Sequence, residues 1–212
     1  MDTGASALEK LIGFAVVGVV WAVALLFFRH YRIWLFYYVV AAVGLAFLLI
    51  WAGTRLIPLE RWLEMGTAYS AHMLSRMVGI PTRVFEAAPG NILVWVVVQK
   101  PGWTVVRVDL ECSGLLEMAV LSGLLLFYPA WTIWQRLGLV LFGWAATFVS
   151  NIIRVLSIIA ILHLLGKRSI FVAHTVAGRL IFFALVMGFY WVVLTRGTLR
   201  ILNRQLQERL KR

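Results

Sequence analysis

Three polar residues in apolar surroundings are the first candidates for chemistry in this chain. Cys112 is the only cysteine and opens a long apolar run, Arg154 lies late in the next run, and His174 lies early in the last. A thiol, a guanidinium and an imidazole can attack a carbonyl, stabilise an oxyanion and move a proton. These residue types favour covalent acyl chemistry if the fold brings the three side chains together.

The composition places these residues in a membrane protein. Apolar residues make up 62% of the 212 residues and the mean hydropathy is +0.91, whereas soluble domains are roughly 45–50% apolar. The net charge of +11 comes from basic residues that flank apolar runs, where they set topology and contact lipid headgroups. We therefore predict an all-α integral membrane protein with residues 1–212 as a single membrane domain, with membrane lipids and no nucleic acid among its partners.

Five apolar stretches approach the ~20 residues that cross a ~30 Å hydrocarbon core. They are residues 11–28, 33–53, 112–132, 137–157 and 172–194. The first is longer than the ~7–15 apolar residues of a cleavable signal peptide. We therefore predict about five transmembrane helices, the first of them retained.

The basic residues predict the orientation of these spans. The tail, residues 195–212, has six basic residues and one acid, whereas the segment 54–111 has six basic residues and five acids. The positive-inside rule therefore places the tail, Arg136 and the turn 29–32 in the cytoplasm. The 54–111 segment becomes an extracytoplasmic insertion, although Lys167-Arg168 would then also lie outside. We expect a multi-pass plasma-membrane protein.

The 54–111 insertion has two predicted parts. Residues 59–79 mix large apolar side chains with charged ones, which is typical of an amphipathic helix at a membrane surface, and Pro81 would end that helix. Residues 92–98 and 104–108 are β-branched runs separated by a Pro-Gly turn signal. We predict a small helix followed by a β-hairpin that leads into Cys112.

Helical rise predicts a common depth for the three candidates. At about 1.5 Å per residue, Arg154 lies ~27 Å above Arg136, His174 ~33 Å above Arg196, and Cys112 ~36 Å above Arg136. Against a core of ~30 Å, all three reach the outer interface. A shared depth is necessary for a site, but it does not establish contact in the membrane plane.

Each candidate also has a simpler interpretation. A lone cysteine in an apolar segment is commonly a packing residue, Arg154 could extend from its helix end to the interface, and His174 could hydrogen-bond to a neighbouring helix. Cys112 would begin a helix whose dipole favours the thiolate. Asp109 and Glu111 would oppose that effect, so a cation from Arg154 or His174 would be needed.

Other polar residues are candidates for supporting roles. Asn151 lies one turn before Arg154 on the same helix face, and it could orient the guanidinium or donate a hydrogen bond to an oxyanion. Glu117 and Arg179 lie five residues deeper than Cys112 and His174, and we expect them to form a structural ion pair. The sequence has no HExxH, paired-carboxylate or Gly-rich phosphate motif, so we predict no cofactor and no metal. No role is assigned to His30, His72 or His163.

These positions together resemble the exosortase/archaeosortase family of integral-membrane transpeptidases. The resemblance rests on Cys112-Ser113-Gly114 opening a span, on Asn151-x-x-Arg154 near the outer end of the next, and on His174 with Gly178 in the last. It covers about residues 90–195. With five predicted spans where larger members have about eight, the chain is similar to the compact forms, including the small Gram-positive type.

The resemblance implies a thiol protease and transpeptidase that cleaves the C-terminal sorting signal of an exported protein. Such a signal is a short motif followed by a membrane helix and a basic end, and the cleaved protein passes to an acceptor through a thioester. Cys112 would be the nucleophile, and His174 would deprotonate it or protonate the leaving amine. Arg154 would stabilise the thiolate or the oxyanion. The insertion could hold the substrate by strand addition at the extracytoplasmic face.

Two other functions fit the residues. A non-enzymatic membrane scaffold or assembly protein would use the polar cluster to hold spans together, and it would tolerate Cys112→Ser because serine still hydrogen-bonds. A transporter could use Glu117, Arg154 and Arg179 along a path, but the sequence lacks the paired broken helices of transporter folds.

Overall fold

In the computed structural model, the chain is a bundle of apolar helices with a small β-sheet at one end. Residues 3–88, 91–97, 103–108, 110–129 and 131–195 are described. The helices are α1 (Thr3–His30), α2 (Trp34–Trp51), α3 (Leu59–Met77), α4 (Leu110–Ser113), α5 (Leu115–Leu126), α6 (Ile133–Leu165) and α7 (Gly178–Tyr190). The π-helical turn Ala52–Leu56 extends α2, and the π-helical turns Val172–Ala177 and Trp191–Thr195 flank α7. The strands are β1 (Thr82–Ala88), β2 (Asn91–Val97) and β3 (Trp103–Val108).

Four helical stretches among the described residues are long and apolar enough to cross a membrane. They are Leu8–His30, Trp34–Leu56, Ile133–Leu165 and Val172–Val193. Together with the short apolar helix α5, they confirm the prediction of an all-α integral membrane protein. Of the predicted basic tail, residues 195–212, residues 196–212 lie outside the described residues.

The third predicted span, residues 112–132, is much shorter than expected. Its helix α5 has 12 residues, which rise only ~18 Å. At its start, Gly114 has a φ of 77° in the left-handed region that favours glycine, and Ser113 Oγ accepts a hydrogen bond from the Leu115 N–H at 3.1 Å. At its end, Arg136 donates to the carbonyl oxygen of Leu126 at 2.7 Å.

The ~36 Å height of Cys112 above Arg136 was therefore wrong, because no continuous helix joins them. A better measure comes from α2 and its π-helical extension. Gly53 packs against the Leu115 side chain, since a Cβ on Gly53 would lie 3.2 Å from Leu115 Cδ2. The rise from Trp34 to Gly53 is ~28 Å. The start of α5 thus lies about one hydrocarbon thickness from Trp34, next to one face of the bundle.

A three-stranded antiparallel sheet of order β1-β2-β3 precedes Cys112. β2 and β3 form the predicted hairpin, with Val94 opposite Val106, and its turn lies outside the described residues. β1 was not predicted from the sequence, and it pairs with the other edge of β2. Side chains alternate along β3, with Thr104, Val106 and Val108 buried, so one face of the sheet packs against the helices.

Helix α3 lies between this sheet and α6, and it confirms the predicted amphipathic helix. Its buried face carries small and polar residues, namely Glu64, Thr67, Ala68, Ala71 and Ser75. Trp62, Tyr69, Met73 and Met77 are exposed, a pattern that suits a helix at a membrane surface.

The end of α3 differs from the prediction that placed it at Pro81. The helix stops at Met77. Gly79 has a φ of 81°, and the N–H groups of Gly79 and Ile80 donate to the carbonyl oxygens of Arg76 and Ser75 at 3.0 and 2.9 Å. This glycine-based helix terminus is a Schellman motif, so Pro81 only follows a helix that has already ended.

Candidate active site

Cys112 lies where the sheet, α3, α6 and the last membrane helix meet. Its side chain is 1% exposed. The core cluster around it also contains Ala68, Ala71, Val94, Val106, Val108, Val155, Ile158, Ile159, Leu162 and Ala173. Because Cys112 belongs to the four-residue α4 and Gly114 separates α4 from α5, the thiol does not occupy the first turn of a long helix. The expected effect of that helix dipole on the thiolate therefore has no structural basis.

His174 is the nearest candidate partner of the thiol. Its Nε2 lies 4.0 Å from Cys112 Sγ, a distance at which a sulfur hydrogen bond is long but can still form. His174 is half-buried in the π-helical turn Val172–Ala177, and such turns are frequent at functional sites. The neighbouring Ala173 is fully buried in the cluster around Cys112 and anchors this turn against α6.

Asn151 holds the main chain beside the thiol. Its side chain is fully buried on α6, and Nδ2 donates to the carbonyl oxygen of Cys112 and, at 3.4 Å, to Thr67 Oγ1. Both amide hydrogens are thereby engaged, which disfavours the expected role of oxyanion donor. The geometry favours a positioning role that joins α3, α4 and α6. Thr67 was missed in the sequence because a single threonine on an amphipathic helix forms no recognisable motif.

Arg154 is held inside the bundle. Its side chain is 3% exposed, and its guanidinium carbon lies 5.5 Å from the centre of the Phe182 ring, within the range of a cation–π interaction. This burial contradicts the simpler interpretation in which the side chain extends to the aqueous interface. Since arginine stays protonated in proteins, it brings a fixed positive charge one helical turn from Asn151.

A cleft of about 450 Å³ opens beside Arg154 between α5, α6 and α7. Its lining includes Leu116, Glu117, Arg154, Arg179, Phe182, Phe183, Val186 and Met187. The pairing of Glu117 with Arg179 stays a prediction, although both side chains border the same space. With two guanidinium groups and one carboxylate, the cleft carries an excess of positive charge.

Several other polar residues near the site have structural partners. His72 Nδ1 lies 2.7 Å from Thr82 Oγ1, and Ser75 Oγ is 2.7 Å from the same hydroxyl, so this histidine ties α3 to β1. Glu64, 3% exposed on α3, was not identified in the sequence, where it looked like one charge of an amphipathic helix. Ser113 caps α5. Within the described part of the chain, no group of three or more His, Cys, Asp or Glu side chains could hold a metal ion.

Comparison with known proteins yields one match. The family model described as transmembrane exosortase matches residues 4–192, which include every candidate residue of the site. No curated protein and no solved structure matches the chain significantly. The match begins far before residue 90 and ends at residue 192, so it covers much more of the chain than the residues 90–195 on which the sequence resemblance depends.

Proposed function

Because the chain belongs to the transmembrane exosortase family, we propose that it is a membrane-embedded cysteine transpeptidase that cleaves C-terminal sorting signals of exported proteins. The observation that carries this proposal is the 4.0 Å separation between Cys112 Sγ and His174 Nε2. A nucleophile needs a base within reach, and in ligand-free structures that contact is commonly longer than in the substrate complex.

The first half of the reaction makes a thioester. His174 accepts the thiol proton of Cys112, and the thiolate attacks the carbonyl carbon of the scissile peptide bond. The oxygen of the tetrahedral intermediate becomes negatively charged, and Arg154 supplies the positive charge that stabilises it. When the C–N bond breaks, the protonated His174 gives its proton to the leaving amine. The exported protein is then joined to Cys112 through an acyl–sulfur bond.

The second half transfers the protein to an acceptor. An acceptor amine or hydroxyl attacks the thioester carbon and loses its proton to His174, and the thiolate of Cys112 leaves and recovers that proton. Water would compete as an acceptor and give simple hydrolysis. Cys112 is 1% exposed, which limits the access of water to the thiol in the absence of substrate.

The sheet offers a way to hold the substrate beside the thiol. In the described sheet β3 is an edge strand that pairs with β2, and it ends at Val108, four residues before Cys112. An extended substrate segment could add to this edge by main-chain hydrogen bonds. We place this surface, with Cys112 and His174, at the extracytoplasmic face of the plasma membrane, where exported proteins emerge.

The proposal is tested by Cys112→Ser and Cys112→Ala in cells that express a protein with a C-terminal sorting signal. Both variants are expected to abolish processing, because neither side chain can form the thioester. The serine variant is the matched control for packing, since it retains a side chain of similar size. Equal amounts of folded wild-type and variant protein in the membrane fraction would show that the loss of processing comes from the missing thiol and not from misfolding.

A non-enzymatic scaffold is the second candidate, and the burial of Cys112 in a hydrophobic cluster is the observation that favours it. In that case the thiol is a packing residue. Cys112→Ser would then keep the cellular function, while the smaller alanine would weaken the bundle. Normal processing by the serine variant would therefore contradict the enzymatic function and favour the scaffold function.

A further inference from the structure

The short helix α5 leaves a cleft at the end of the bundle opposite Cys112. Between Trp34 and Gly53, α2 and its extension span ~28 Å. Helix α5 starts beside Gly53 and runs back toward Trp34 for only ~18 Å, so it ends ~10 Å short of the level of Trp34. The space below it is a cleft of about 600 Å³. It is bounded by the α1–α2 connection on one side and by the α5–α6 connection on the other.

The lining of this cleft is basic and aromatic. It consists of Arg29, Trp34, Tyr37, Tyr38, Phe127, Tyr128, Pro129 and Arg136, and none of these residues is acidic. Arg136 is fixed in place, because it donates to the carbonyl oxygens of Trp131 and Leu126 at 2.8 and 2.7 Å. These bonds use two of its five N–H donors, which leaves three for a ligand. Within the described residues, Arg29 has no ion-pair partner.

Two guanidinium groups with no carboxylate in the same lining favour the binding of an anion. Phosphate is the most suitable anion, because its oxygens match the planar fork of guanidinium donors. We propose that this cleft binds the phosphate of an anionic phospholipid, with the acyl chains lying on the apolar surface beside it. That surface is available, because Trp34 and Trp134 at the adjoining helix ends are 63% and 80% exposed. Tryptophan and tyrosine are also the residues that concentrate at the headgroup level.

The position of the cleft favours a lipid over other anions. The cleft lies at the ends of membrane-crossing helices, where anionic headgroups attract basic residues and basic pockets between helices bind lipid phosphates. In the orientation proposed above, it faces the cytoplasmic leaflet. A sorting signal, whose cytoplasmic end is basic, would be repelled by Arg29 and Arg136.

The test measures lipid retention by the full-length chain. The protein is reconstituted in nanodiscs of equal phosphatidylglycerol and phosphatidylcholine, released into detergent, and its bound lipids are counted by native mass spectrometry. We expect preferential retention of phosphatidylglycerol. Arg29→Gln should lower that retention about fivefold, which is the contribution expected of one basic residue to the affinity for an anionic headgroup. Arg32→Gln removes the same charge from the same connection, away from the cleft lining, and should have little effect.

Three results would overturn the proposal. One is equal retention of the two lipids. Another is an equal loss in Arg29→Gln and Arg32→Gln, which would indicate general attraction of headgroups to basic residues. The third is complete displacement by millimolar glycerol phosphate, which would identify a site for soluble phosphates. Because the Arg29 side chain is exposed and forms no ion pair among the described residues, its substitution should leave the fold intact.

Discussion

At the residue scale, the proposed chemistry depends on side chains that three separate elements supply. Cys112 comes from the short α4, Arg154 from the middle of α6, and His174 from a π-helical turn. Asn151 joins the first two, because its amide donates to the Cys112 carbonyl oxygen from the same face of α6 that carries Arg154. Ser113 and Gly114 act on the backbone after Cys112. Ser113 Oγ accepts a hydrogen bond from the N–H of Leu115, and the positive φ of Gly114 allows the change of direction before α5.

Arg154→Lys tests whether the planar guanidinium is needed. Lysine keeps the charge but loses the fork of donors and the stacking on Phe182, so we expect the rate of substrate processing to fall about 10²-fold, as when one oxyanion donor is removed. Arg168→Lys, in the exposed connection after α6, is the matched control and should process normally. A wild-type rate in Arg154→Lys would show that the positive charge is enough and that the planar fork of donors is not needed.

At the element scale, close packing of α2 against α5 fixes the level of the site. Gly123 on α5 lies so close to α2 that a Cβ there would be 2.2 Å from the carbonyl oxygen of Ala42. Small residues that let helix backbones approach are a common means of association in membranes. The contact between Gly53 and Leu115 continues the same interface. These contacts set the height of α5 and, through Gly114, of Cys112.

Gly123→Ala should therefore destabilise the bundle. The added methyl group would meet a backbone atom that cannot rotate away, and we expect a loss of about 1–3 kcal/mol in the free energy of unfolding, as for other overpacked sites. Gly138→Ala on α6 is the control, because a Cβ there has no atom within 4 Å. Thermal unfolding in detergent measures both. Equal melting temperatures for the two variants would contradict the close approach of α2 and α5.

Hydropathy was sufficient to predict the long helices but not α5 or β1. An apolar run such as residues 112–132 gives no signal of a backbone break, because Phe127 and Trp131 are as apolar as the helix before them and yet lie outside it. β1 was missed because Arg83 and Glu86 interrupt its apolar pattern. The depth of Cys112 was deduced from a helix that does not exist. The structure nevertheless places His174 Nε2 4.0 Å from the thiol and the Asn151 amide on the main-chain carbonyl oxygen of Cys112.

At the scale of the whole molecule, the orientation rests on the distribution of basic residues, and its main exceptions are Arg168 and Lys167. The structure gives this lysine a partner, since its Nζ lies 5.3 Å from the centre of the Trp103 ring at the start of β3. A cation–π contact of this kind joins the α6–α7 connection to the sheet. Lys167 thus has a local structural role, so its position need not report the side on which the loop lies.

The orientation can be measured by cysteine labelling. In a Cys112→Ser background, Arg168→Cys should react with a membrane-impermeant maleimide in intact cells, because we place the α6–α7 connection outside. Lys211→Cys in the basic tail should react only after the membrane is permeabilised, since the positive-inside rule keeps that tail in the cytoplasm. The reverse pattern would put the thiol and histidine on the cytoplasmic side and contradict access to exported proteins.

The most direct test of the central claim is the detection of an acyl group on Cys112. The purified full-length protein would be incubated with a sorting-signal substrate without an acceptor, then analysed by intact-mass and peptide mass spectrometry. We predict an adduct with the mass of the cleaved substrate, confined to Cys112, removed by hydroxylamine and absent from Cys112→Ser. Substrate cleavage without an adduct on Cys112, or with unchanged rate in Cys112→Ser, would contradict the account.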